Sequence, residues 1–373
     1  MPPHSAADEN DDLDGLPPPE PVHYAEQSLL GALLMEPHRL DEIGPLDPDH
    51  FSNHTHGELF RAMRSAPAPD TEQHRTSPAW LNTVLDTARP HALGLTASYL
   101  HTLIQICPWP QHAATYARMI RADHARRSLR IHAERLAQTA VDTTLPHRAK
   151  ATVQQADALA RFLDDLSGRF ASHPGSLPRT ALPSAPASDT SGEALDEERL
   201  LLATTTAYPT ETSQMRWLVS EDFALPLHAA LWQCLTALIH RGEAVDPITV
   251  LWEAQRRSLL AHGITPAGLL ALLSTPVGSP EHWGEKVLER ALLSRAQSVA
   301  VSIAAFTDDP ANSPHQLITG SRRALAELTA VRSRWHQATG PATPRTARPA
   351  RTPAAPRAGP VLRSAPAPVR ATR

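Results

Sequence analysis

Lysine is nearly absent from this chain. Only two of the 35 basic residues are lysines, Lys150 and Lys286, and neither follows a glycine. A P-loop needs a Gly-Lys-Ser/Thr step, so that glycine-rich backbone cradles the phosphates while the lysine reaches them. A Walker-type nucleotide site is therefore excluded. Cysteine is equally scarce. Cys107 and Cys234 stand far apart and make neither a disulfide framework nor a four-cysteine zinc site. The economical reading is a reduced, cytoplasmic protein. No apolar run approaches the ~18 residues that span a bilayer. The acidic N-terminus lacks a basic-then-apolar signal pattern, so neither secretion nor membrane insertion is expected. No Ser/His/Asp grouping stands out, and no strand-turn-helix elbow presents a nucleophile. No catalytic residue and no cofactor is expected.

What charge there is sits unevenly. The formal net charge is −4. Residues 1–23 hold six acids and neither Lys nor Arg, whereas 339–373 hold seven arginines and no acid. Proline follows the same division: six of the 36 fall in 1–23, eight in 339–373 and four in 171–194. Segments rich in Pro, Ala, Ser and Thr bury too little apolar surface to offset the entropy of ordering. We read 1–23 as an acidic disordered head, 171–194 as a linker and 339–373 as a basic disordered tail. Two foldable segments remain, 24–170 and 195–338.

Both read as helical, and the fold class is all-α. Leu29, Leu30, Leu33 and Leu34 share one helix face, as do Leu231, Trp232, Leu235, Leu238 and Ile239. Strict strand-like alternation is absent. Helix starts are marked by a capping residue followed by proline at Ser77-Pro78, Asp246-Pro247, Thr265-Pro266, Ser279-Pro280 and Ser313-Pro314. Each segment ends in two longer amphipathic stretches, about 113–141 with 147–168 and 281–306 with 314–336, which predict two helical hairpins.

The segments also match each other, which marks an internal duplication. Glu26 pairs with Glu198, Leu29 with Leu201, Leu30 with Leu202, Phe51 with Phe223, His56 with His228, Leu59 with Leu231 and Phe60 with Trp232, all at an offset of 172.

Ala25-Glu26-Gln27-Ser28-Leu29-Leu30-Gly31-Ala32-Leu33-Leu34 resembles the opening helix of the N-terminal domain of DnaB-type replicative DNA helicases. Pro48-Asp49-His50-Phe51 followed by His56-Gly57-Glu58-Leu59-Phe60 resembles that domain's next signature. In the second segment Gly242-Glu243-Ala244-Val245-Asp246-Pro247-Ile248-Thr249-Val250 is similar to the family's Gly-x-Pro-Val-Asp-x-x-Thr-Val element. There are departures: Arg199, Leu200 and Ala203 replace the Gln-Ser and Gly of the opening helix, and the first segment has Ser77-Pro78-Ala79-Trp80 in place of the Val-Asp element. A second copy and a basic tail also stand where the family has a RecA-like ATPase. The resemblance implies an all-helical module whose hairpin drives assembly and which contacts primase or a helicase loader. The expectation is a non-catalytic replication accessory or assembly protein that binds helicase, primase or loader, or itself through its hairpins. Two other readings stay open: a nucleic-acid-binding protein acting through its tail, and a chain grouped with replicative helicases by resemblance only.

Candidate partner-binding residues are Arg118, Arg121, Arg126, Arg127 and Arg130 on the first hairpin, with Leu292 and Leu325 on the stripe of the second. The arginines equally suit a solvated face, because Asp123 and Glu134 are nearby. In the tail, Arg345, Arg348, Arg351, Arg357, Arg363, Arg370 and Arg373 suit weak, sequence-independent phosphate contact. His50, His54 and His56 have ligand-like spacing. However, His56 has a counterpart in His228 and the other two fall on a loop, so no metal site is expected. The tryptophans lack the interleaved basic residues of stacking platforms, and core packing is their default reading.

Overall fold

The computed structural model describes residues 20–170, 176–183, 191–261 and 264–340, and no strand occurs among them. The first segment forms α1 (Pro21–Met35), α2 (His54–Ser65), α3 (Thr71–Thr76), α4 (Ala79–Ala88), α5 (Ala97–Ile106), α6 (Ala113–Val141) and α7 (Arg148–Arg169). The second forms α8 (Gly192–Ala207), α9 (Pro209–Thr212), α10 (Pro226–Arg241), α11 (Pro247–Arg256), α12 (Pro266–Leu273), α13 (Pro280–Asp308) and α14 (Pro314–Thr339). The hairpins are thus α6–α7 and α13–α14, close to the predicted spans.

Three boundaries differ from the sequence reading. Helix α1 starts at Pro21, inside the stretch read as the acidic head, because proline supplies the first helical position and Val22 and Ala25 are buried. Helix α8 starts at Gly192, where the Ser191 hydroxyl caps the Ala194 N–H. Residues 176–183 of the segment read as a free linker lie along α14, as described below. Helix α14 runs to Thr339; the rest of the tail, and residues 1–19 of the head, lie outside the described residues.

Local chemistry explains most helix starts. Asp246 accepts hydrogen bonds from the N–H groups of Ile248 and Thr249, Thr265 from Gly268, and Ser279 from His282. Each satisfies donors that the first helical turn leaves unpaired. Ser77-Pro78 departs from this pattern, since α4 begins one residue later and Pro78 occupies the capping position.

Helix α1 is sheathed by α2, α5 and α6, and Leu29, Leu30, Leu33 and Leu34 are buried together. Gly31 permits this. A Cβ there would lie 2.1 Å from the Leu103 carbonyl oxygen of α5. The duplicate carries Ala203 at this place, so α8 and α12 do not need so close an approach.

The apolar cores part inside α6 rather than at residues 171–194. Ala113, Ala117 and Ile120 belong to the core built on α1–α5. Leu129, Ala133, Leu136 and Ala140, with Val153, Leu159 and Leu163 of α7, belong to one core with α8 and α10–α14. The first hairpin is therefore a wall of the second segment's core. The described residues up to Ala338 form one compact unit.

Candidate partner-binding interface

The duplication is built around one repeated buried device. In the first copy, Glu26 Oε1 accepts the Ser52 N–H at 2.5 Å, and Oε2 lies 2.7 Å from His56 Nδ1. In the second, Glu198 Oε1 accepts the Ala224 N–H at 2.5 Å, and Oε2 lies 2.7 Å from His228 Nδ1. All four side chains are buried. Burial pushes the Glu26 carboxyl up, but the His56 ring and the Ser52 N–H outweigh it and its pKa is lowered overall. The carboxylate thus clips the opening helix of each copy to the turn before its second-signature helix. An aromatic pair seals each turn: Phe51 with Phe60 at 5.1 Å between centroids, and Phe223 with Trp232 at 5.7 Å.

The three clustered histidines do not converge. His54 is exposed. His50 faces His124 of α6, with ring centroids 4.4 Å apart. Burial, helped by His50, pushes the His124 imidazole down to about 4. His56 joins Glu26, and His23 completes a group of three residues whose ligand atoms lie within 4.8 Å of one another. Sequence spacing missed this trio because His23 comes from the first turn of α1. The polar atoms of Glu26 and His56 are engaged with protein partners, the His56 Nε2 with the Tyr99 hydroxyl at 2.7 Å.

Most of the basic stretch on α6 is spent inside the molecule. Arg126 donates to the carbonyls of Thr307, Asp309 and Asn312 at 2.9, 2.7 and 2.6 Å. It closes the C-terminal end of α13, where carbonyls lack helical partners and a cation is favoured. Arg130 pairs with Asp308 and Glu134. Arg121 donates to Ile43 O at 2.8 Å, and Arg127 to His50 O at 2.8 Å and to Asp123 at 2.6 Å. Arg118, by contrast, is exposed and donates to the Thr115 hydroxyl. Leu292 is fully buried, and Leu325 is half-buried against the same core. The seven tail arginines lie outside the described residues.

Arg126→Ala strips the partly buried carbonyls of Thr307, Asp309 and Asn312 of a charged donor. Hydrogen bonds to charged groups contribute roughly 1.5–3 kcal/mol. We expect a loss of about that size in urea denaturation.

The hairpins are further laced by charge. Arg322 of α14 donates to Asp164 of α7 at 2.6 Å, and Arg332 pairs with Asp157. The rising numbers on one helix meet falling numbers on the other, so α7 and α14 run antiparallel. Most of both stripes is covered inside the chain, although Met119 and Ile131 of α6 and Val301 of α13 stay exposed; further apolar surface lies on α11. Ile248 and Trp252, one turn apart on α11, are 62% and 65% exposed. In the first copy the tryptophan of the matching helix, Trp80, is buried. The two copies therefore present different faces at α4 and α11.

This arrangement agrees with the comparison against known families. The profile described as the DnaB-like helicase N terminal domain matches residues 18–122 and again 191–287. Together the two matches take in more than half of the chain, which belongs to this family as a tandem duplication of the domain. No curated protein and no solved structure matches the chain. Among the described residues, no helix is long and apolar enough to cross a membrane.

Proposed function

We propose that the chain is a non-catalytic DNA-replication accessory or assembly protein, which binds a replicative helicase, primase or helicase loader through its helical surface. One observation carries this reading. Two copies of a helicase N-terminal domain pack their hairpins against each other within one chain, and an exposed Ile248–Trp252 ridge remains beside the family's Val-Asp element. A covalent tandem achieves what two separate domains would otherwise do by association, because linkage raises the effective concentration of the second contact. An exposed aromatic beside an aliphatic residue is the usual chemistry of an interface anchor, and truncating such an anchor costs ~2 kcal/mol or more.

The test is direct. Purified chain is titrated against helicase, primase and loader from the same cells by calorimetry. One of the three is expected to bind saturably. Trp252→Ala is expected to weaken that complex about thirtyfold while leaving the melting temperature of the chain unchanged. Binding to none of the three overturns the reading, and so does saturable ATP binding by the chain alone.

A further inference from the structure

Residues 176–183 do not simply connect the two segments. The Pro178 ring sits on Gly320 of α14: a Cβ at Gly320 would lie 2.3 Å from Pro178 Cγ and 3.0 Å from the Phe306 ring. Asn312 reads the next two residues, accepting the Arg179 N–H at 2.8 Å and donating to the Thr180 hydroxyl at 2.8 Å. That hydroxyl donates to Asp309 Oδ2 at 2.6 Å, and Gln316 Nε2 donates to the Leu177 carbonyl at 3.0 Å. A cavity of about 240 Å³ continues the groove between this segment and the outer faces of α13 and α14. A bare helix position for a proline ring, a side-chain amide for the backbone and an acceptor for a threonine hydroxyl make a peptide-recognition site. A glycine inside a helix is unfavourable relative to alanine, and here it provides the space in which the proline lies. The first hairpin lacks this feature, since α7 has no glycine before Gly168.

The sequence Pro178-Arg179-Thr180-Ala181 occurs once more in the chain, as Pro344-Arg345-Thr346-Ala347. The residue before it changes from Leu177 to Thr343; the hydrogen bond made at that position, from Gln316 to the backbone carbonyl, is available to either residue. We propose that the groove formed by Asn312, Gln316, Gly320 and Phe306 also takes the Pro344–Ala347 segment of a second copy of the chain, in exchange for its own residues 178–181. Reach decides between a second copy and the same chain. From Gly320 to Thr339 the helix advances about 28 Å at ~1.5 Å per residue. The five residues from Thr339 to Pro344 span at most about 18 Å fully extended. A chain cannot bring its own Pro344 back to its own Gly320.

Residues 178–181 are tethered beside the groove and hold it at high effective concentration, so the wild-type chain should resist exchange. Weakening them should reveal it. In the full-length double variant Pro178→Ala/Thr180→Ala, light scattering should show the mass rising with concentration from monomer toward dimer or higher. Adding Pro344→Ala/Thr346→Ala to that chain should return it to monomer. Gly320→Ala, which favours the helix but fills the proline seat, should do the same. A synthetic peptide of residues 341–350 should bind the opened variant at least tenfold more tightly than wild type, and a scrambled peptide of equal charge should not bind. Helical circular dichroism confirms that each variant is folded. An opened, folded variant that stays monomeric throughout, or binds the scrambled peptide equally well, overturns the proposal. These measurements involve no helicase, primase or loader, so they fail or succeed independently of the proposed function.

Discussion

Leu292→Asp is expected to unfold both halves of the described chain together. Leu292 is fully buried in the core that joins α6 and α7 to α8 and α10–α14. An unpaired carboxylate there loses its hydration inside an apolar core. Removal of a buried leucine alone costs about 2–5 kcal/mol, and the stranded charge adds to it. The sum approaches the whole stability of an ordinary domain, roughly 5–15 kcal/mol. The variant should therefore lose most of its helical circular dichroism at room temperature. The first copy should be affected although the substitution lies in the second, because α6 and α7 contribute Leu129, Leu136, Leu159 and Leu163 to the damaged core. A variant whose first copy melts as in the wild type would show that the halves are energetically independent. Leu325→Asp, at a half-buried position, should be milder.

The second large effect is expected at the repeated carboxylate. Glu198→Ala removes the acceptor of the Ala224 N–H and the partner of His228 Nδ1, both enclosed in the protein. Each buried hydrogen-bonding group left without its partner costs about 1–3 kcal/mol, and two are left here. Glu26→Ala should behave alike through Ser52 and His56. Thermal denaturation of the two variants tests whether the duplicated device contributes equally in both copies. Equal losses are expected from equal distances. A loss below about 1 kcal/mol at either site would mean that water replaces the carboxylate.

Much of this is legible in the sequence. The offset of 172 already aligned Glu26, His56 and Phe60 with Glu198, His228 and Trp232, and the structure shows why: those positions form the clip and the aromatic seal. The capping pairs marked the starts of α11, α12, α13 and α14 because capping chemistry is local in sequence. The partners of the long helices were not legible. An amphipathic stripe states that a face is buried, not what buries it. Arg126, Arg127 and Arg130 look like a solvated or docking face along α6, yet their acceptors stand on α13, on the loop after it and on the turn before α2. Trp80 and Trp252 share one default reading as core residues, and only tertiary packing buries one and exposes the other. The histidine spacing could not reveal the buried trio for the same reason: His50, His54 and His56 face different surroundings although they are close in sequence, while His23, from the first turn of α1, comes close to His56.

The charges between α7 and α14 carry a further consequence. Acids stand on one side, Asp157 and Asp164, and bases on the other, Arg322 and Arg332. After duplication the two halves have diverged into opposite-sign mates, each of which repels its own kind. A first hairpin set against another first hairpin in this geometry would place aspartate opposite aspartate, and two second hairpins would oppose arginines. Ordinary symmetric self-pairing of either half is thereby penalised, and the covalent partner is preferred over a stranger's identical half. One hairpin of each kind is supplied within one polypeptide, at a fixed ratio of one to one that dilution cannot change.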